Sequence, residues 1–113
     1  MTAPDIRIET PETIHDWMVR GEAVVYDVRE QHEWQEAHID GALLLPLSQF
    51  DPAAISVPEG KRLVFHCRSG VRCGAAAQQM VLAGAPVGVD GTIYRLAGGI
   101  IGWAQARLPV SQG

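Results

Sequence analysis

The stretch Cys67-Arg68-Ser69-Gly70-Val71-Arg72 combines the residue types of a reactive-thiol site. The thiolate is the nucleophile, and an ordinary cysteine with a pKa of about 8.5 is only a few per cent ionised at neutral pH. A glycine and small residues after the cysteine let successive backbone N–H groups turn inward as a nest for an anion. A helix opening just beyond adds about half a positive charge at its amino terminus. Lowering a thiol pKa by about two units takes roughly 2.7 kcal/mol of differential stabilisation, which several N–H groups and a helix end can supply. Charge supports the same reading. Residues 1 to 60 carry twelve acids against three arginines, a net of −9, whereas residues 61 to 113 carry a net of +5. Lys61, Arg62, Arg68 and Arg72 stand in the carboxylate-free stretch that also holds both cysteines, Cys67 and Cys73. A buried structural cysteine at a strand end needs neither the glycine turn nor two arginines.

The flanking elements must hold this loop at a sheet rim. Thr10 caps a helix with Pro11 at its first position and Ile14, Trp17 and Met18 on one face; Gly21 stops it. Ala23-Val24-Val25-Tyr26 reads as a buried parallel strand ending at Asp27. Glu30 to Ala37 reads as a short helix or turn with Trp34 inward, and Gly41 to Leu45 as a second strand closed by Pro46. Residues 48 to 60 form a connection with one helical turn. Leu63-Val64-Phe65-His66 is the strand that delivers Cys67, followed by a helix from Cys73 to Ala83 ending at Gly84. Thr92 to Leu96 is a further strand, Gly98-Gly99 opens the last helix, and Ile6 to Ile8 adds an edge strand. Strands alternating with helices predict an α/β domain with a mostly parallel sheet. Sites in such sheets lie at the carboxyl ends of the strands, which selects Asp27 to Arg29, Cys67 and Ala97 to Gly99.

The 113 residues amount to one small domain, 47% apolar and 19% charged, which excludes a disordered chain. A net charge of −4 disfavours nucleic acid as a partner. Two cysteines are too few for a disulfide scaffold. Met1 to Asp5 shows no secretory pattern, and the longest uncharged stretch, Cys73 to Val89, is broken by Gln78, Gln79, Gly84, Pro86 and Gly88. The expectation is a cytoplasmic protein with no membrane partner, whose thiols stay reduced.

Four blocks now stand in order: Asp27-Val28-Arg29-Glu30, His38-Ile39-Asp40-Gly41-Ala42 before Leu45-Pro46, Cys67 to Arg72, and Leu96-Ala97-Gly98-Gly99-Ile100 with Trp103. Together they resemble the single-domain rhodaneses, a sulfurtransferase family, over about residues 5 to 108. The resemblance implies a rhodanese-like three-layer sandwich, a five-stranded, mostly parallel sheet with helices on both faces. It also implies that Cys67 takes the outer sulfur of a donor such as thiosulfate, becomes a persulfide, and passes that sulfur to cyanide or a thiol. The implied partners are a small-molecule donor and acceptor, or a protein persulfide. Cys67 would be the sulfur carrier, the backbone of Arg68, Ser69, Gly70, Val71 and Arg72 its cradle, with Cys73 closing the substrate-binding loop, and Asp27 and Arg29 framework residues. No cofactor is implied.

Four residues separate Cys67 from Arg72, whereas related cysteine phosphatases use five. The shorter loop suits one outer sulfur better than a tetrahedral phosphate or arsenate, so a phosphatase or arsenate reductase ranks second. A non-catalytic interaction module ranks third, because Cys67 is present. Arg68 is expected at the mouth, attracting anions. Arg72 is expected to pair with Asp27 or Glu33. Cys73 stands where the family usually has Ser or Thr; a thiol donates only weakly, and the residue reads either as packing or as a resolving thiol. His66 should point away from Cys67's side of its strand. His38 reads as a turn residue, His15 and His32 as solvated. No spacing suggests a metal site. Pro109 to Gly113 reads as frayed.

Overall fold

A computed structural model describes residues 4–112. Met1–Ala3, where the reading of the amino terminus begins, and Gly113 lie outside the described residues. Five strands, β1 (Asp5–Glu9), β2 (Ala23–Asp27), β3 (Leu43–Leu44), β4 (Arg62–His66) and β5 (Thr92–Leu96), form one sheet. Their order is β1-β5-β4-β2-β3, and all four pairings are parallel. The inner strands are apolar on both faces, as burial under two helical layers requires. The edge strand β1 is largely exposed and alternates Asp5, Arg7 and Glu9 with Ile6 and Ile8, which blunts an open edge.

The strand expected over Gly41 to Leu45 shrinks to two residues. The chain is still turning at its start, where Ala42 N bonds Ile39 O at 3.1 Å. The connection after it holds two 3₁₀ turns, Leu47–Gln49 and Pro52–Ala54, where one turn was expected.

The helices are α1 (Pro11–Val19), α2 (Gln31–Glu36), α3 (Arg72–Ala83) and α4 (Gly99–Gln105). Thr10 Oγ1 accepts from Thr13 N at 3.2 Å, the expected cap of α1. Glu30 and Glu33 form a reciprocal capping box on α2. On one face of the sheet, Leu63, Phe65 and Cys67 pack with Cys73, Ala76, Ala77 and Met80 of α3. On the other, Val25 and Val64 pack with Ile14 of α1 and with Ile100 and Trp103 of α4.

Two readings are corrected. His15 is half-buried, edge-on to Trp103 with ring centroids 5.6 Å apart. Residues 109–111 are docked instead of frayed. Pro109 O accepts from Trp103 Nε1 at 2.8 Å, and Ser111 exchanges two 2.8 Å backbone bonds with His38.

Candidate active site

Strand β4 ends at His66 and places Cys67 one residue beyond, at the rim formed by the carboxyl ends of the sheet. Helix α3 begins five residues later, so the intervening loop must turn back over the cysteine. Gly70 adopts φ +108°, and its N–H donates to Cys67 Sγ at 3.1 Å. The loop is fixed from three sides. Arg95 Nη2 of β5 donates to Gly70 O at 2.6 Å, and the Cys73 thiol donates to the same oxygen at 3.2 Å. The opening turn of α4 supplies Ile100 N to Cys67 O at 2.9 Å and Ile101 N to Arg68 O at 3.2 Å.

The environment lowers the Cys67 pKa to about 5. The neighbouring Cys73 side chain has the largest effect, burial opposes it, and the backbone N–H groups of Cys73, Gly70 and Arg72 add to the lowering. Main-chain donors were expected from the loop, but the leading part of Cys73 was not. The Cys73 thiol is correspondingly pushed far up, first by the Cys67 side chain and then by burial. The loop thus favours the thiolate over the thiol, although the residue is only 1% exposed. A depressed acid pKa keeps the charged form as pH falls, until the folded value is reached. Alkylation of Cys67 by iodoacetamide should thus be half-maximal at about pH 5 and level through neutrality. An inflection at the ordinary thiol value would contradict the geometry.

Gly99 shows why two glycines open α4. It adopts φ +59°, and a Cβ there would meet Cys67 O and would lie 2.5 Å from both the carbonyl carbon and the oxygen of Arg68. Gly99→Ala should cost about 2–4 kcal/mol, through a left-handed conformation and a clash with rigid backbone. Gly91, at φ +74° with nothing within 4 Å, gives the control. Gly91→Ala should cost only about 1–2 kcal/mol. Thermal melts of the two variants compare them, and equal losses would mean that close approach at Gly99 is unimportant.

Arg72 pairs with Glu33, as one of the two expected partners, through bonds of 2.6 and 2.8 Å. This holds the Glu33 carboxyl at about 2, well below its usual range, chiefly through Arg72. The other expected pairing, Arg72 with Asp27, does not form. Asp27 is fully buried against Arg29, with Arg29 Nε at 3.0 Å from Oδ1 and Nη2 at 2.7 Å from Oδ2. Arg29 is closer in the chain, and its guanidinium also reaches Ala37 O at 2.7 Å, tying the end of β2 to the segment after α2. Asp27 and Arg29 thus brace the rim beside the loop.

Arg68 and Ser69 are exposed, and Arg68 has no ion-pair partner among the described residues. Arg68 borders a hollow of about 240 Å³ with Arg29, Glu33 and Ile101, while Ser69, Gly70 and Val71 border another of about 410 Å³ with Arg95. A separate cleft lined by His15, Met18, Lys61 and Trp103 lies at the amino ends of the strands, away from the thiol. His66 is buried with its Nε2 at 3.4 Å from Asp27 Oδ2, and burial holds its pKa down. Arg95 went unnoticed in the sequence. Its one signal was an arginine in the otherwise apolar alternation of a buried strand, Thr92-Ile93-Tyr94-Arg95-Leu96.

The sequence profile of the Rhodanese-like domain matches residues 10–106. The chain belongs to the rhodanese-like domain family. It is 39% identical over 99 residues to the uncharacterized protein slr1261 of Synechocystis, covering 88% of this chain and 52% of that relative. It is 30% identical to a protein of Allochromatium vinosum named Sulfurtransferase, covering 79% of this chain and 78% of that one. The chain thus spans about half the length of the Synechocystis relative and smaller shares of several others. The fold matches a rhodanese-related protein of Thermoplasma volcanium with a TM-score of 0.77 at 22% identity, over 95% of this chain and 99% of that one. Among the described residues no helix is long and apolar enough to cross a membrane.

Proposed function

We propose that this protein is a sulfurtransferase that carries a sulfane sulfur on Cys67. The observation that supports this most is the Cys67 sulfur accepting from Gly70 N–H at 3.1 Å inside a four-residue loop whose surroundings lower the thiol pKa. The thiolate attacks the outer sulfur of thiosulfate. A new S–S bond forms, the donor's S–S bond breaks, and sulfite leaves with the electron pair. The outer sulfur of the resulting persulfide is anionic and suits the donors that held the thiolate. Cyanide or a thiolate then attacks that sulfur, and the Cys67 thiolate departs ready for another cycle. With cyanide the product is thiocyanate. The exposed Arg68 draws the anionic donor toward the loop, and a protein persulfide is an alternative donor. Two free cysteines suit a reducing compartment such as the cytoplasm.

The relative named Sulfurtransferase supports the same class of reaction. The short loop disfavours a phosphatase or arsenate reductase, whose tetrahedral substrate needs a wider ring of N–H groups. The test is steady-state thiocyanate formation with thiosulfate and cyanide both varied. A covalent carrier gives parallel double-reciprocal lines. Intersecting lines, or no turnover with any sulfane donor, would contradict the proposal.

A further inference from the structure

Cys73 is the one reactive group at this site that sulfur transfer leaves without a covalent role. It lies in the first turn of α3, fully buried, with both cysteines present as free thiols. Both side chains belong to the same buried cluster on one face of the sheet. The two sulfurs also share a single residue: Gly70 donates its N–H to Cys67 Sγ at 3.1 Å and accepts from Cys73 Sγ at 3.2 Å. Disulfide formation requires side chains that converge in this way.

We propose that Cys67 and Cys73 form a peroxide-sensing pair, in which oxidation of Cys67 is captured as a reversible Cys67–Cys73 disulfide. The inference rests on the Cys67 thiolate but not on the identity of the sulfur donor. In the first step the thiolate attacks one oxygen of hydrogen peroxide. An S–O bond forms, the O–O bond breaks, and hydroxide leaves and is protonated to water. Cys67 loses two electrons and becomes a sulfenic acid. In the second step Cys73 gives up its proton and its sulfur attacks Cys67 Sγ. An S–S bond forms, the S–O bond breaks, and the departing hydroxide takes the proton as water. A dithiol later returns two electrons and restores both thiols.

The order of events follows from the electrostatics. The Cys67 side chain is the leading cause that keeps Cys73 protonated, and burial is the second. Cys73 is therefore quiet while Cys67 is available for sulfur transfer. Conversion of Cys67 to a neutral sulfenic acid removes the thiolate's share of that effect, while burial of Cys73 persists. Neutralisation of Cys67 thus makes the second thiol easier to ionise than it is beside the thiolate.

The test treats the dilute, reduced full chain with a small excess of hydrogen peroxide and reads the products by mass spectrometry. The expected wild-type product is a monomer lighter by two hydrogens, whose non-reducing digest contains a peptide joining Cys67 to Cys73, reversed by dithiothreitol. The Cys73→Ser variant should instead gain two or three oxygens on Cys67, which dithiothreitol does not remove. A wild-type product carrying a sulfinic acid on Cys67 without the joined peptide would overturn the proposal. So would an intermolecular disulfide as the main product, or equal recovery of wild type and variant. The wild-type digest decides the matter even if the variant folds poorly. Because it requires no sulfur donor, disulfide formation in a chain that transfers no sulfur would contradict only the proposed function. Sulfur transfer without the disulfide would contradict only this inference.

Discussion

Cys67→Ser lowers thiocyanate formation from thiosulfate and cyanide by at least about a thousandfold, as loss of a covalent nucleophile does. Two physical changes combine. A serine hydroxyl stays protonated under the hydrogen bonds that hold the Cys67 pKa to about 5. An oxygen also cannot form the sulfur–sulfur bond on which the carrier depends. The replacement is nearly isosteric at a fully buried position, and Gly70 N–H can still donate to an oxygen. Circular dichroism of the variant should therefore match the wild type. A folded variant that keeps more than a small fraction of the turnover would remove Cys67 from the mechanism.

Asp27→Ala has the largest expected effect on stability. Both Asp27 and Arg29 are buried, at 0% and 4% exposure. The carboxylate accepts from Arg29 Nε and Nη2 and also from Arg29 N, the last at 3.0 Å. Removing it strands a guanidinium out of water with only its carbonyl contacts, which costs about 3–5 kcal/mol. For a chain of this size that lowers the melting temperature by on the order of 15 °C. The combined Asp27→Ala, Arg29→Leu change should recover much of the loss, because an apolar pair needs no compensation. An unchanged melt for Asp27→Ala would show that the buried pair does not brace the rim.

What was legible in the sequence was local. The β-branched runs at Val24-Val25 and Leu63-Val64-Phe65 declared buried strands, and Thr10-Pro11 declared a helix start. The resemblance supplied the sheet's strand count and three-layer plan. The Cys67 to Arg72 loop was visible because its chemistry lies in consecutive residues. Partner choice was not. Asp27 meets Arg29 instead of Arg72 because the guanidinium two residues on folds back beside it, while Glu33 at the start of α2 captures Arg72. Arg95 reaches the loop from a strand twenty-five residues later, a contact set only by the β4–β5 register. Trp103 and His38 hold the carboxyl-terminal segment through backbone oxygens and amides, which leave no mark on side-chain pattern.

The central claim is that Cys67 carries a sulfane sulfur. The most direct measurement is the mass of the peptide containing residue 67 after the reduced protein meets thiosulfate and excess donor is removed. The expected result is a gain of one sulfur atom on Cys67, lost on adding cyanide with release of one equivalent of thiocyanate. An unmodified Cys67 after every sulfane donor tried, or the added sulfur found only on Cys73, would contradict it.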